Sequence, residues 1–315
     1  MPLFSGRRRP HLAPALDDDG LGRIVNSLQE VPRSGLIGMR DLHMARISDL
    51  LRQGDTDWDR RAHRLAVLAE ATADSDLPDT WCAREPRSVD ALLLRAWVQW
   101  VRARRSGDLT GAEAIVRDCY QASERRPNDP TPWVIVLGVQ RLQRRSRPAV
   151  MAAWRQVSAR DRVHREAHLQ MLGHLSPGEG GSRIQVLEFV DHVRSVTPPN
   201  APTAALDLTA AVQHYHSVLR KGGVETLLAS NVWRQLPAVD ALDRAAAHWL
   251  KPGFLSHAAA LADLNLLAYA LVVAGRRGDA AAVFPELRGR VTSWPWENSG
   301  APVDVFSHEM SRSAR

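Results

Sequence analysis

Apolar residues crowd one stretch near the C-terminal end. Leu264, Leu266, Leu267, Ala268, Ala270, Leu271, Val272 and Val273 precede Gly275, and Ala280, Val283 and Phe284 follow it. The pattern predicts two helices joined by a glycine turn, with small residues where they touch. One such hairpin cannot bury its own apolar face, so similar units are expected to stack beside it.

Helical spacing recurs upstream. Residues 1–19 carry Pro, Arg and an acidic triplet without periodicity, and are expected to form a flexible leader. Residues 20–87 form N-terminal helices. Two short ones join around Pro32-Arg33-Ser34-Gly35, and a third, capped within Asp57-Trp58-Asp59, carries Ala62, Leu65, Leu68 and Ala69 on one side. Further helices open near Asp90, Thr131 and Glu166. The run Pro127-Asn128-Asp129-Pro130-Thr131-Pro132 stops one helix and starts the next, with Thr131 as N-cap and Pro132 in the first helical position. Helices are expected over 182–196, 203–219, 224–236 and 239–250. Trp294-Pro295-Trp296 and Ala301-Pro302 break the pattern, so 291–315 is expected to be an extended tail whose Trp294 and Trp296 fold back over the last helices.

Trp133 and Ala167 stand at equivalent places 34 residues apart, and Leu92 and Trp133 stand 41 apart, with the excess in the loop 106–111. By this period the chain resembles divergent tetratricopeptide-repeat proteins. In Arg126-Pro127-Asn128-Asp129-Pro130-Thr131-Pro132-Trp133 and Arg165-Glu166-Ala167-His168 it resembles a group of actinobacterial repeat proteins. Ala268, Gly275, Ala280 and Phe284 match the repeat best. The middle units depart from it, because Leu137 takes a small-residue position and Gly138 falls one place late.

The resemblance implies an all-α chain built as a right-handed α-solenoid over 88–290, with about six or seven hairpins in all. It also implies that the first helix of each hairpin lines a concave groove for a peptide or protein. That role falls on Arg141, His168, Asn265 and Tyr269, and Tyr215 is added because its helix presents polar and aromatic groups together.

Composition narrows the function classes. Hydrophobic residues make up 44% of the chain, which excludes disorder throughout. Only Lys221 and Lys251 among the 41 basic residues are lysines, so the basic pI reflects arginine usage more than a polyanionic partner. The net charge of +6 is modest, since 35 acidic residues are spread among the arginines. Cys82 and Cys119 lie in separate helices without metal-site spacing and suit a reducing compartment. The Arg7-Arg8-Arg9 run is followed by no apolar core, and the longest apolar segment is too short to cross a bilayer, so a soluble cytoplasmic protein with no membrane partner is expected.

Three constellations bear on chemistry. Six of the twelve histidines (His164, His168, His174, His192, His214 and His216) fall between Val163 and Ser217. A metal-dependent or other enzyme using this region is the alternative to a binding module, with His164, His168 and His192 as ligands. The favoured expectation is no metal and no cofactor, because His214 and His216 point to nearly opposite sides of a helix and the zincin order is absent. Most of the ten tryptophans lie on apolar helical faces and are expected in the core. Arg102, Arg104 and Arg105, and again Arg141, Arg144, Arg145 and Arg147, close consecutive first helices. Stacking would align them into a basic edge, which leaves a weak nucleic-acid binder as a further alternative. No phosphate loop or nucleophile elbow is present, so no catalytic residue is assigned.

Overall fold

A computed structural model describes residues 9–30, 37–54, 56–223 and 229–315. Among these residues the fold is all-α apart from one two-stranded pairing, and no helix is long and apolar enough to cross a membrane. The chain divides into two compact units, Asp18–Phe189 and residues 9–17 together with Val190–Arg315. The division falls inside the region expected to be one array.

In the first unit the helices are α1 (Asp19–Glu30), α2 (Ile37–Arg52), α3 (Trp58–Thr72), α4 (Leu77–Arg84), α5 (Val89–Ser106), α6 (Ala112–Arg125), α7 (Thr131–Leu142), α8 (Arg147–Ser158) and α9 (Arg165–His174). The Pro32–Gly35 joint lies outside the described residues. Local chemistry sets several boundaries. Asp57 accepts a hydrogen bond from the Arg60 amide at 3.0 Å to cap α3, and Ser88 accepts from Ala91 N at 3.3 Å to cap α5. Gly107, at φ 74°, ends α5 in the left-handed conformation that glycine adopts without penalty. Thr131 does not cap α7. It is the first helical residue, and Asp129 accepts its N–H at 2.8 Å.

Consecutive helices pair as α5 with α6 and α7 with α8, while α3, α5, α7 and α9 pack side by side as an inner layer. Of these inner helices α7 is apolar on nearly all sides, with Val134 to Val139 all buried. Small residues permit the approach. A Cβ on Gly138 would lie 2.1 Å from the Trp100 ring, and one on Gly173 would lie 2.2 Å from the Arg141 guanidinium. Gly138, out of place against the repeat pattern, is thus the seat of the Trp100 indole. The layer also closes on itself, because α3 touches α9.

The N-terminal ends of α3, α5 and α7 meet at one buried ionic node. Arg61, fully buried, donates through Nη2 to Asp90 Oδ1 at 2.5 Å and through Nε to Asp129 Oδ2 at 3.2 Å. Arg126 Nη1 lies 3.6 Å from Asp90 and 3.9 Å from Asp129. Two carboxylates and two guanidinium groups offset one another's desolvation, which either sign alone could not do in this interior.

α10 (Arg183–Val196) carries the chain into the second unit, which contains α11 (Leu206–Lys221), α12 (Ala238–His248), α13 (Ala260–Val273), α14 (Arg277–Leu287) and α15 (Pro302–Ser313). α13 is the central helix. Its apolar run is buried on every side, and α11, α12 and α14 pack around it. The expected helix over 224–236 is a 3₁₀ segment at Ala229–Arg234, and its first residues lie outside the described ones.

Both chain ends correct the sequence expectation. Residues 9–17 are not a loose leader. His11–Leu12 forms β1, parallel to β2 at Arg290–Val291, with His11 N donating to Gly289 O and Ala13 N to Val291 O, both at 2.9 Å. Residues 291–315 are not an extended tail, because α15 follows a 3₁₀ turn at Trp296–Asn298. Pro302 begins α15 in the first turn, where its missing N–H costs nothing. Phe306 then enters the core fully buried, with its ring centroid 5.1 Å from Phe284 and 5.3 Å from Trp296.

Candidate functional site

The five residues assigned to a groove divide between the two units and are mostly interior. Arg141 belongs to the first. Its guanidinium binds Glu179 through Nε at 2.6 Å and Nη2 at 2.5 Å, and donates through Nη1 to Gln170 Oε1 at 2.7 Å. This fork fastens the 3₁₀ turn Pro177–Glu179 to α7. His168 is 4% exposed, its ring stacked on Phe189 and edge-on to Trp154. Its Nδ1 donates to His164 O at 2.9 Å. Burial pushes its pKa down to about 4, so the ring is neutral at physiological pH.

In the second unit Asn265 is fully buried and uses every hydrogen-bonding position of its amide. Nδ2 donates to Leu261 O at 2.9 Å and Arg290 O at 3.1 Å, and Oδ1 accepts from Thr292 N at 3.3 Å and Trp296 Nε1 at 3.0 Å. Tyr269 is also buried, with its hydroxyl 2.8 Å from His216 Nε2 and 3.1 Å from Ser299 Oγ. Desolvation, assisted by Arg220, holds His216 down at about 4. Tyr215 is half-buried, with ring centroids 5.7 Å from His216 and 5.8 Å from Trp233. The groove assignment for Asn265 and Tyr269 is therefore corrected. The segment from Arg290 to Ser299 folds back over that face of α13, carrying Trp296 with it, and fills the place a ligand would take. His168 is corrected likewise, since Trp154 and Phe189 cover it.

The histidine-rich region does not assemble a metal centre. Among the described residues no three His, Cys, Asp or Glu groups are placed to hold an ion. His164 caps α9, with Nδ1 accepting from Ala167 N at 3.4 Å, whereas His192 sits on an exposed face of α10. Cys82 and Cys119 are buried free thiols, and desolvation raises both pKa values, that of Cys82 to about 12. Neither is poised as a nucleophile.

The basic edge is neutralised only in part, because Arg144, Arg145 and Arg147 lie exposed. Arg104 and Arg105 both bind Glu70, Arg102 donates to Ala73 O and Ser75 O at 2.6 Å each, and Arg141 is held by Glu179.

The second unit carries an apolar cleft of about 240 Å³ between the last turns of α10, the segment Thr197–Leu206 and α12. Val193, Leu206, Ala241, Ala245, Trp249 and Phe254 give it an apolar floor. Arg194 stands on one wall, Arg244 and His248 on the other. Asp207 is the one lining carboxylate among the described residues, and it is engaged by Arg244 Nη2 at 2.8 Å and by the Leu208 amide at 2.7 Å. Sequence reasoning missed this cleft, because it arises where segments distant in the chain meet and carries no local motif. No family model, curated protein or solved structure matches the chain.

Proposed function

We propose that this protein is a cytoplasmic interaction module, a right-handed array of tetratricopeptide-like hairpins that binds a peptide or protein partner. Support for the repeat comes from the pairing of consecutive helices and from the charge register. Arg104 meets Glu70 34 residues away, Arg276 meets Asp243 33 away, Arg244 meets Asp207 37 away and Arg141 meets Glu179 38 away. Of these pairs, Arg104 and Glu70 join matching places, the last turns of α5 and α3. The partner surface is not the inner face of α3, α5, α7 and α9, which is closed by the contact of α3 with α9. The observation that carries the binding reading is the open apolar cleft flanked by Arg194 and Arg244.

Site-specific photo-crosslinking in cells tests this function. A benzoylphenylalanine at position 194 should yield a discrete protein adduct, and the same probe at exposed Arg117 on α6 should not. Equal labelling from both positions, or none from position 194, would overturn it.

A further inference from the structure

We infer that the cleft recognises a peptide segment in which a large apolar side chain lies beside a carboxylate. This rests on the binding function proposed above and specifies its partner. Two facing walls share one design. On α12, Ala241 and Ala245 are four residues apart and face the floor, while Arg244 and His248, also four apart, line the rim. On α10, Val190 and Val193 face the floor and Arg194 follows at the rim. Ala204, Ala241 and Ala245 leave space where longer side chains would have filled it. The volume of about 240 Å³ lies below the range of roughly 300–1,000 Å³ common for small-molecule sites and suits one anchoring side chain. Trp249 and Phe254 supply the surface it would cover.

Charge selects the neighbour of that anchor. Among the described residues, two arginines and a histidine border the cleft against the one carboxylate of Asp207, which already accepts two hydrogen bonds. Among the described residues Arg194 pairs only with Asp191, three residues before it, at 2.7 Å, and both side chains are about half exposed or more, at 48% and 64%. Such a pair is weak and screened, so an arriving carboxylate, partly shielded from water by the apolar floor, competes for the guanidinium on favourable terms. A basic segment would meet Arg194 and Arg244 unfavourably.

Selection of random dodecapeptides displayed on phage against the full chain tests the inference. Enriched sequences should place Phe, Trp, Leu or Met within two positions of Asp or Glu. As synthetic peptides they should bind about 10- to 100-fold more weakly when the anchor becomes Ala, and about 3- to 10-fold more weakly to Arg194→Glu. Ala204→Trp, which fills the cleft from its rim, should abolish binding. Arg194→Glu changes an exposed side chain and keeps the test open if Ala204→Trp unfolds the chain. Enriched peptides without the acidic-apolar pairing, or indifferent to both variants, would overturn the inference and leave the module standing. No enriched peptide together with a specific crosslink from position 194 would do the same. No peptide and no crosslink would overturn both.

Discussion

Acidification should destabilise the first unit through His168 in a way that one substitution can isolate. The imidazole titrates near 6.5 in an unfolded chain and near 4 in its place against Phe189 and Trp154, with desolvation the main cause. Between those values the unfolded chain binds the proton and the folded chain does not. Stability from this group is therefore complete above about pH 7, falls as pH drops, and levels off below about pH 4. The full interval corresponds to about 3 kcal/mol, of which about 2 kcal/mol is lost between pH 7.5 and pH 5. His216, held near 4 in the second unit, and His164 and His43, also lowered by burial, act in the same direction, so the wild-type profile alone does not identify the group. His168→Phe retains the aromatic contacts and removes the proton site. At pH 7.5 it should lose about 1 kcal/mol with the Nδ1 hydrogen bond to His164 O. Urea titrations at half-unit pH steps should then show the two proteins crossing near about pH 6, with the variant about 1 kcal/mol more stable at pH 5. Parallel profiles would refute the assignment of His168 as a buried neutral ring.

Three other perturbations probe the packing. Gly138→Ala should cost at least about 1–3 kcal/mol in denaturant titrations, because the new methyl overlaps the rigid Trp100 ring, and Trp100→Leu in the same chain should restore part of the loss; an unchanged midpoint would show that the two helices do not approach there. Arg61→Met should cost about 3–5 kcal/mol by stranding Asp90 and Asp129, whereas adding Asp90→Asn and Asp129→Asn should recover much of it; equal stability of the single and triple variants would argue against the node. Phe306→Ala should cost about 3–5 kcal/mol, measured by hydrogen exchange across α13 and α14, while an extended tail would lose less than about 0.5 kcal/mol.

The helices were largely legible because their signals are local. Asp57, Ser88 and Gly107 mark ends by capping chemistry, and the apolar spacing of Ala62, Leu65, Leu68 and Ala69 marks the face of α3 that is buried. Arg61 was legible too, had the same face been followed one step back: it lies four residues before Leu65 and seven before Leu68, on the apolar side, where a guanidinium requires buried carboxylates. The C-terminal helix was missed through proline. Ala301-Pro302 suggests a break, yet proline in the first turn followed by Val303, Phe306 and Met310 at helical spacing is a start signal. The groove was misassigned for a different reason. Whether Asn265 and Tyr269 face a ligand or the returning Arg290–Ser299 segment depends on tertiary placement, and no helical periodicity distinguishes a face covered by a partner from one covered by the chain itself.

Arginine bias takes on a structural meaning in this light. From sequence, rows of arginine at the ends of consecutive helices resemble an edge prepared for phosphates. In the fold, Arg104 and Arg105 reach back to Glu70, Arg141 to Glu179, Arg244 to Asp207, and Arg276 to both Asp243 and Asp279. A lysine would offer only a point charge at these places, whereas the arginine fork also grips backbone oxygens, as Arg102 does at Ala73 and Ser75 and Arg160 does at Pro127 and Gln156. Each exposed pair adds under about 1 kcal/mol, so the pairs contribute little to stability singly. They do neutralise the positive field close to its source, which weakens long-range attraction of a polyanion. Arg194 pairs with Asp191 on its own helix, both exposed, and it borders an apolar cleft where incoming charge is partly desolvated. The cleft thus sets a guanidinium beside apolar surface, whereas Arg144, Arg145 and Arg147 lie exposed on the first unit.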